Sequence, residues 1–343
     1  MPEPVLSIRD LTVEFGTEDG VVHAVTGVSY DVYPGEVLGI VGESGSGKSV
    51  SMLSVLGLIP QPPGRIVHGE AIFQGEDLLT MPKGKLTDIR GGRVSMIFQD
   101  PMTSLNPVLT IGDQISEALR AHNSGMNDSA ANARTVELLE LVGVPFAERR
   151  VRQYPHEFSG GMRQRAMIAM AIANDPVVLV ADEPTTALDV TIQAQIVEVL
   201  KAAQQETQAA TVLITHDLGL IAELADRVVV MYAGRVVELA DVFTIFNSPR
   251  HPYTVGLMKS LARLDADQEW LEPIPGQPPS LITPPPGCAF HPRCAHSQGR
   301  AICRTELPEL RAASDGGAHL SACHFADELT VTHVRVAAAA GEP

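Results

Sequence analysis

One eight-residue run constrains the fold of this chain more than any other part of it: Gly42-Glu43-Ser44-Gly45-Ser46-Gly47-Lys48-Ser49. It satisfies G-x-x-x-x-G-K-[ST] in full. Residues 36–41 before it read as a short apolar strand and residues 48–58 after it as a helix, the strand–loop–helix order that phosphate binding requires. Gly42, Gly45 and Gly47 let the backbone curl so that successive N–H groups face one anion, with Ser44 and Ser46 between them, and the following helix adds its positive end. Lys48 is expected to reach the outer phosphates of a nucleotide, and the Ser49 hydroxyl to ligate Mg²⁺.

Around that loop the pattern is α/β. Residues 5–33 alternate loosely around Gly20, which predicts two or three antiparallel edge strands. Between about 100 and 173 the periodicity turns helical, with helices expected at 111–121, 131–142 and 160–173, as if a helical segment were inserted. Strands at 177–181, 211–215 and 227–231 then accompany a helix at 190–204, the rhythm of a parallel sheet covered on both faces. Residues 273–286 are too rich in proline for either element and read as a linker. The glycine-rich loop occurs once, so no repeat of this unit is expected.

The balance of charge narrows the partners. Lysine and arginine number 25 against 41 acidic residues, a net charge of -16, which argues against nucleic acid held through phosphate contacts. The start, Met1-Pro2-Glu3-Pro4, lacks the basic flank and apolar run of a secretory signal. Apolar runs are strand-sized, so membrane association is expected to go through a partner. All four cysteines fall in the last sixth of the chain, where a disulfide framework is not expected and ligation of a metal or cluster is the leading reading.

A second element, Val177-Val178-Leu179-Val180-Ala181-Asp182-Glu183, ends an apolar strand in two carboxylates. Asp182 suits the surroundings of Mg²⁺, and Glu183 suits the orientation or deprotonation of an attacking water. The octet Phe158-Ser159-Gly160-Gly161-Met162-Arg163-Gln164-Arg165 closely resembles the signature of ATP-binding cassette proteins, with Phe158 where Leu is usual and Met162 where Gln is usual. That resemblance implies a phosphate-loop NTPase (RecA-like) core, an antiparallel β edge and an inserted helical subdomain at about 100–175, all within residues 1–250. It implies that Ser159, Gly160 and Gly161 grip the γ-phosphate of ATP bound to a second cassette, so that one cassette cannot complete a site by itself. Gln99 in Phe98-Gln99-Asp100-Pro101 resembles the glutamine that senses Mg²⁺ and the attacking water. Ala187-Leu188-Asp189 resembles the loop that crosses the dimer interface, and His216 the switch histidine at the γ-phosphate. Phe15 is the candidate for stacking on adenine, although an inward-facing strand aromatic fits it as well.

The tail narrows the substrate. Cys288, Cys294, Cys303 and Cys323, with His251-Pro252-Tyr253-Thr254 upstream, are similar to the C-terminal region of dipeptide and oligopeptide importer ATPases. The resemblance implies that the four thiolates ligate a 4Fe-4S cluster. Zinc is the alternative; the absence of any C-x-x-C pair favours the cluster. Residues 251–286 are then expected to be a helix and proline-rich linker, 287–326 a small cysteine module and 327–343 a tail. Arg293, next to Cys294, is placed to offset thiolate charge.

The implied function is ATP hydrolysis energising uptake of dipeptides or oligopeptides from the cytoplasmic face of the cell membrane. The implied partners are a second ATPase subunit, a copy of this chain or a paralogue, two transmembrane permease subunits, and an extracytoplasmic peptide-binding protein acting through them. An importer of nickel or another small solute, and an exporter, are the alternatives. A soluble cassette acting on ribosomes or DNA fits less well, because the chain lacks a second cassette and a basic surface.

Overall fold

The computed structural model describes residues 2–186, 188–260, 273–314 and 317–329. Its contacts separate two compact units. One is formed by the described parts of Met1–Leu6, Asp31–Val37 and Phe73–Ile214, the other by those of Ser7–Tyr30, Leu38–Ile72 and Thr215–Pro343.

In the first unit the strands Val94–Ile97, Val178–Asp182 and Ala210–Thr215 lie side by side and parallel, in that order. Every residue of the three is buried, as expected of strands covered on both faces. The helices Ile111–His122, Asp128–Leu141 and Gly160–Ile172 follow the predicted pattern and pack on one another. Each starts at a side-chain cap: Thr110 accepts from the Asp113 amide, Asn127 from Ala130 and Ser159 from Met162. The second helix begins three residues before its predicted start, because the Asn127 cap, rather than the first apolar residue, sets the boundary.

In the second unit the strands Leu6–Thr17 and Gly20–Val32 confirm the expected edge, joined by Gly64–Phe73 on the far side of Leu6–Thr17. That third strand was not foreseen. Its apolar alternation is interrupted at Gly69, whose φ of 116° accompanies a close backbone approach: a Cβ there would lie 2.6 Å from the Leu11 Cα. A mixed sheet runs from Val37–Val41, parallel to Arg227–Tyr232, to the antiparallel Arg235–Asp241. Leu320–Ser321 adds to its edge through Glu238↔Ser321 and Leu239↔Leu320.

The tail therefore differs from the linker and free-standing module expected of it. The proline-rich run packs on the Gly20–Val32 strand, where the His23 amide donates to the Leu281 carbonyl at 2.9 Å. The cysteine-bearing segment belongs to the same compact unit as the phosphate loop. With few apolar residues of its own, it borrows a core: Phe290, 4% exposed, packs edge-on against Tyr232 and Tyr253. Part of the expected linker, residues 261–272, and the tail beyond 329 lie outside the described residues.

Candidate functional site

The phosphate loop leaves the buried Val37–Val41 strand and enters the Lys48–Val55 helix. Its glycines are required by contact as well as by dihedral angle. Gly42 has φ 155°, and a Cβ there would meet the Met231 carbonyl oxygen at 2.1 Å; Gly47 has φ 96°, and its Cβ would meet the Ala24 oxygen at 2.4 Å. Lys48 is buried, with Nζ donating to the carbonyls of Gly42 and Glu43 at 2.8 and 3.0 Å, so the ammonium sits over the start of the loop. Ser46 Oγ is buried without a hydrogen-bond partner. Gly45, also at positive φ, has open space on its Cβ side. A loop curled in this way, with a buried ammonium at its mouth, has the shape and charge to hold a nucleotide's phosphates.

Two other expected residues belong to the same unit. His216 is exposed and directly follows the Ala210–Thr215 strand. Phe15 is half-buried, its ring edge against Gly64, where a Cβ would lie 3.0 Å from Cε1.

In the other unit the carboxylate pair ends its strand as expected. Asp182 is 4% exposed, and the Glu183 amide donates to the Ile214 carbonyl at 2.8 Å. Glu183 adopts φ 46°, a left-handed conformation that is uncommon for a residue with a side chain. Its Oε2 accepts from Gln99 Nε2 at 2.9 Å and from the Thr186 hydroxyl at 2.9 Å. Thr186, two residues before Leu188, was not singled out in the sequence; only a reading of the turn after Glu183 would have found it. The arrangement orients a carboxylate able to receive a proton.

Ser159 and Gly160 are exposed at the N-terminus of the Gly160–Ile172 helix, and the Ser159 side chain caps that helix, accepting from the Met162 amide at 3.3 Å. Gly161 is buried, and a Cβ there would lie 2.7 Å from Ile192 Cγ2, so its glycine is demanded by packing. Asp189 is exposed and caps the Val190–Thr207 helix through the Ile192 amide; Ala187 lies outside the described residues.

The four cysteines are free thiols that line one cavity with His251, His291, His296 and His324. Burial and one another's charge push the Cys288 thiol up to about 11 and Cys323 to about 12. Among the described residues, no group of three or more His, Cys, Asp or Glu side chains is arranged to hold a metal ion, so the expected ligation by the four cysteines is not seen in their arrangement. Arg293 does not turn to the thiols as its neighbour Cys294 suggested. Its five N–H donors are taken by Glu43, Tyr232 and the carbonyls of Ile274 and Pro275.

The comparisons with known proteins agree with this geometry. Residues 25–186 match the model of the ABC transporter family, and residues 237–303 match the C-terminal region of oligopeptide/dipeptide transporters. The dipeptide transport ATP-binding protein DppD of Bacillus subtilis is 49% identical over 95% of this chain and 96% of its own length. The chain belongs to the ATP-binding subunits of the dipeptide and oligopeptide ABC transporters. The DppD protein of Escherichia coli is 50% identical over 94% of this chain and 96% of its own length. Among solved structures, the ATP-binding cassette MJ0796, in a post-hydrolysis dimer bound to ADP and Pi, matches with a TM-score of 0.62 at 27% identity. That match covers 69% of this chain and 98% of the other. Among the described residues, no helix of this family member is long and apolar enough to cross a membrane.

Proposed function

We propose that this chain is the ATP-hydrolysing subunit of an ABC importer that energises uptake of dipeptides or oligopeptides. The observation that carries the reading is the phosphate loop, curled through glycines that admit no Cβ and crowned by the buried Lys48 ammonium. In this reading Gly42, Ser44, Gly45, Ser46, Gly47 and Lys48 bind the phosphates, while Ser49 and Asp182 serve Mg²⁺. Bound Mg²⁺ neutralises phosphate charge and stabilises the transition state of phosphoryl transfer. Glu183 accepts the proton of the attacking water, and Gln99 holds that carboxylate in place. His216 meets the γ-phosphate and Phe15 the adenine.

The exposed Ser159 and Gly160 support a role in gripping ATP held by a second cassette, with Asp189 beside that interface. Two permease subunits, joined on the outer side by a peptide-binding protein, complete the assembly at the cytoplasmic face of the membrane. The exposed Phe98, Met102 and Val108 in the stretch around Gln99 offer apolar contacts to such a permease. A helical subdomain at about 100–175 carries Met102 and Val108, with Phe98 just before it.

The four thiols are assigned to a 4Fe-4S cluster. Their convergence on one cavity supports ligation, with zinc as the alternative. Such a group would tie together a segment with little core of its own.

The test is anaerobic purification, phosphate-release assay, and analysis for iron, sulfide and zinc. ATP hydrolysis lost in Glu183→Gln, together with about four irons and four sulfides per chain, is the expected result. Hydrolysis unaffected in that variant would overturn the catalytic assignment; zinc alone, or no metal, would overturn the cluster.

A further inference from the structure

Glu43 stands second in the phosphate loop and places a carboxylate next to the site of a highly charged anion. By itself it would repel a triphosphate. The structure answers that charge from 250 residues away. Arg293 Nη1 and Nη2 bond the two Glu43 oxygens at 2.7 and 3.0 Å, a bidentate pair with the Arg293 side chain 5% exposed. The guanidinium is itself fixed: Nε donates to the Pro275 carbonyl at 2.9 Å, and Nη1 and Nη2 also reach the Tyr232 hydroxyl and the Ile274 carbonyl. Tyr253, from the tail helix Pro252–Lys259, accepts the Glu43 amide at 2.8 Å. Tail residues thus hold Glu43 by both backbone and side chain.

The same short stretch enters the thiol cavity. Arg293 ends the His291–Arg293 turn and is followed at once by Cys294, while the Cys288 amide donates to the Cys303 carbonyl and its carbonyl accepts from His291. Phe290 packs on Tyr232 and Tyr253 between the two ends. The turn lines the thiol cavity through His291 and Cys294, and it carries the only cation bonded to the Glu43 carboxylate among the described residues.

We propose that Arg293 is a positioning residue that neutralises and holds Glu43, and that through it the state of the four-thiol cavity sets the affinity of the phosphate loop for ATP. This rests on the reading of residues 42–49 as the ATP loop, and its first arm is independent of what the thiols bind.

The experiment titrates mant-ATP into the full chain and into Arg293→Ala, Glu43→Gln and the double variant, with circular dichroism to confirm folding. Arg293→Ala is expected to weaken binding about tenfold, Glu43→Gln less than about threefold, and the double variant to bind like Glu43→Gln, because removing the carboxylate removes the repulsion. Arg293→Ala binding like wild type, or a double variant no better than Arg293→Ala, would overturn the positioning role. The second arm repeats the titration after the thiols are stripped by chelation or, if the chain carries no metal, alkylated. Wild type is expected to lose affinity about threefold or more and the double variant to lose none. An equal loss in both would overturn transmission through Arg293. Failure of the ATP reading is distinguishable, since all four proteins would then fail to bind mant-ATP.

Discussion

The Gln99 side-chain amide donates to the Glu183 carboxylate at 2.9 Å, joining residues 84 positions apart. With the Thr186 hydroxyl on the same oxygen, this bond leaves the carboxylate oriented while Glu183 holds a left-handed backbone. Orientation of the base is worth as much as its basicity, since proton transfer needs reach before driving force.

Replacing Glu183 by Gln should therefore lower the rate of phosphate release by about a hundredfold or more while ATP still binds. ATP-dependent dimers should accumulate on size-exclusion chromatography. Gln99→Glu, which sets a like charge against Glu183, should lower turnover with little change in ATP affinity. Turnover at the wild-type rate in both variants would contradict the assignment.

Lys48→Ala should weaken nucleotide binding by about tenfold or more, the scale of a lost charge-assisted contact. Equilibrium titration with mant-ATP measures it. Lys48 also bridges the Gly42 and Glu43 carbonyls, so its loss should loosen the empty loop, visible as faster amide exchange there.

Gly42→Ala should cost about 2 kcal/mol or more, because both the dihedral angle and the Met231 carbonyl oppose a Cβ. A urea melt checks stability and nucleotide titration checks function. An unchanged melt would mean that the loop adopts another conformation without penalty.

His251 supplies the pH prediction. Burial pulls its imidazole down to about 3, and Nδ1 accepts from the Tyr253 amide, so the folded chain keeps it neutral. Below about pH 6.5 the unfolded chain takes up a proton that the folded chain refuses. Its contribution is therefore complete above about pH 6.5 and is lost as the pH falls toward 3, on the order of a few kcal/mol in all. His251→Gln should flatten that acid limb in melts run from pH 7 to pH 4.5; an equally steep limb would refute the assignment.

Much of the site was legible because its residues act through their own backbone. Glycines at positions 42 and 47, the capping Ser159 and Asp189, and the paired carboxylates at a strand end announce themselves within a few residues of sequence. The parallel strands were legible for the same kind of reason: strands buried on both faces are apolar throughout. Val94–Ile97, only four residues long, and Gly64–Phe73, broken by Gly69, carried too little pattern to be read.

The sequence by itself determined the loop, the carboxylates and the principal strands and helices, because each is specified by local propensity and periodicity. Only the tertiary structure decided that Gln99 meets Glu183, that Leu320–Ser321 extends the sheet of Arg235–Asp241, and that Arg293 turns from the thiols to Glu43. These pairings join segments 81 to 250 residues apart. No local preference encodes them; they follow from which polar side chains and unpaired edges the packed chain brings within reach of one another.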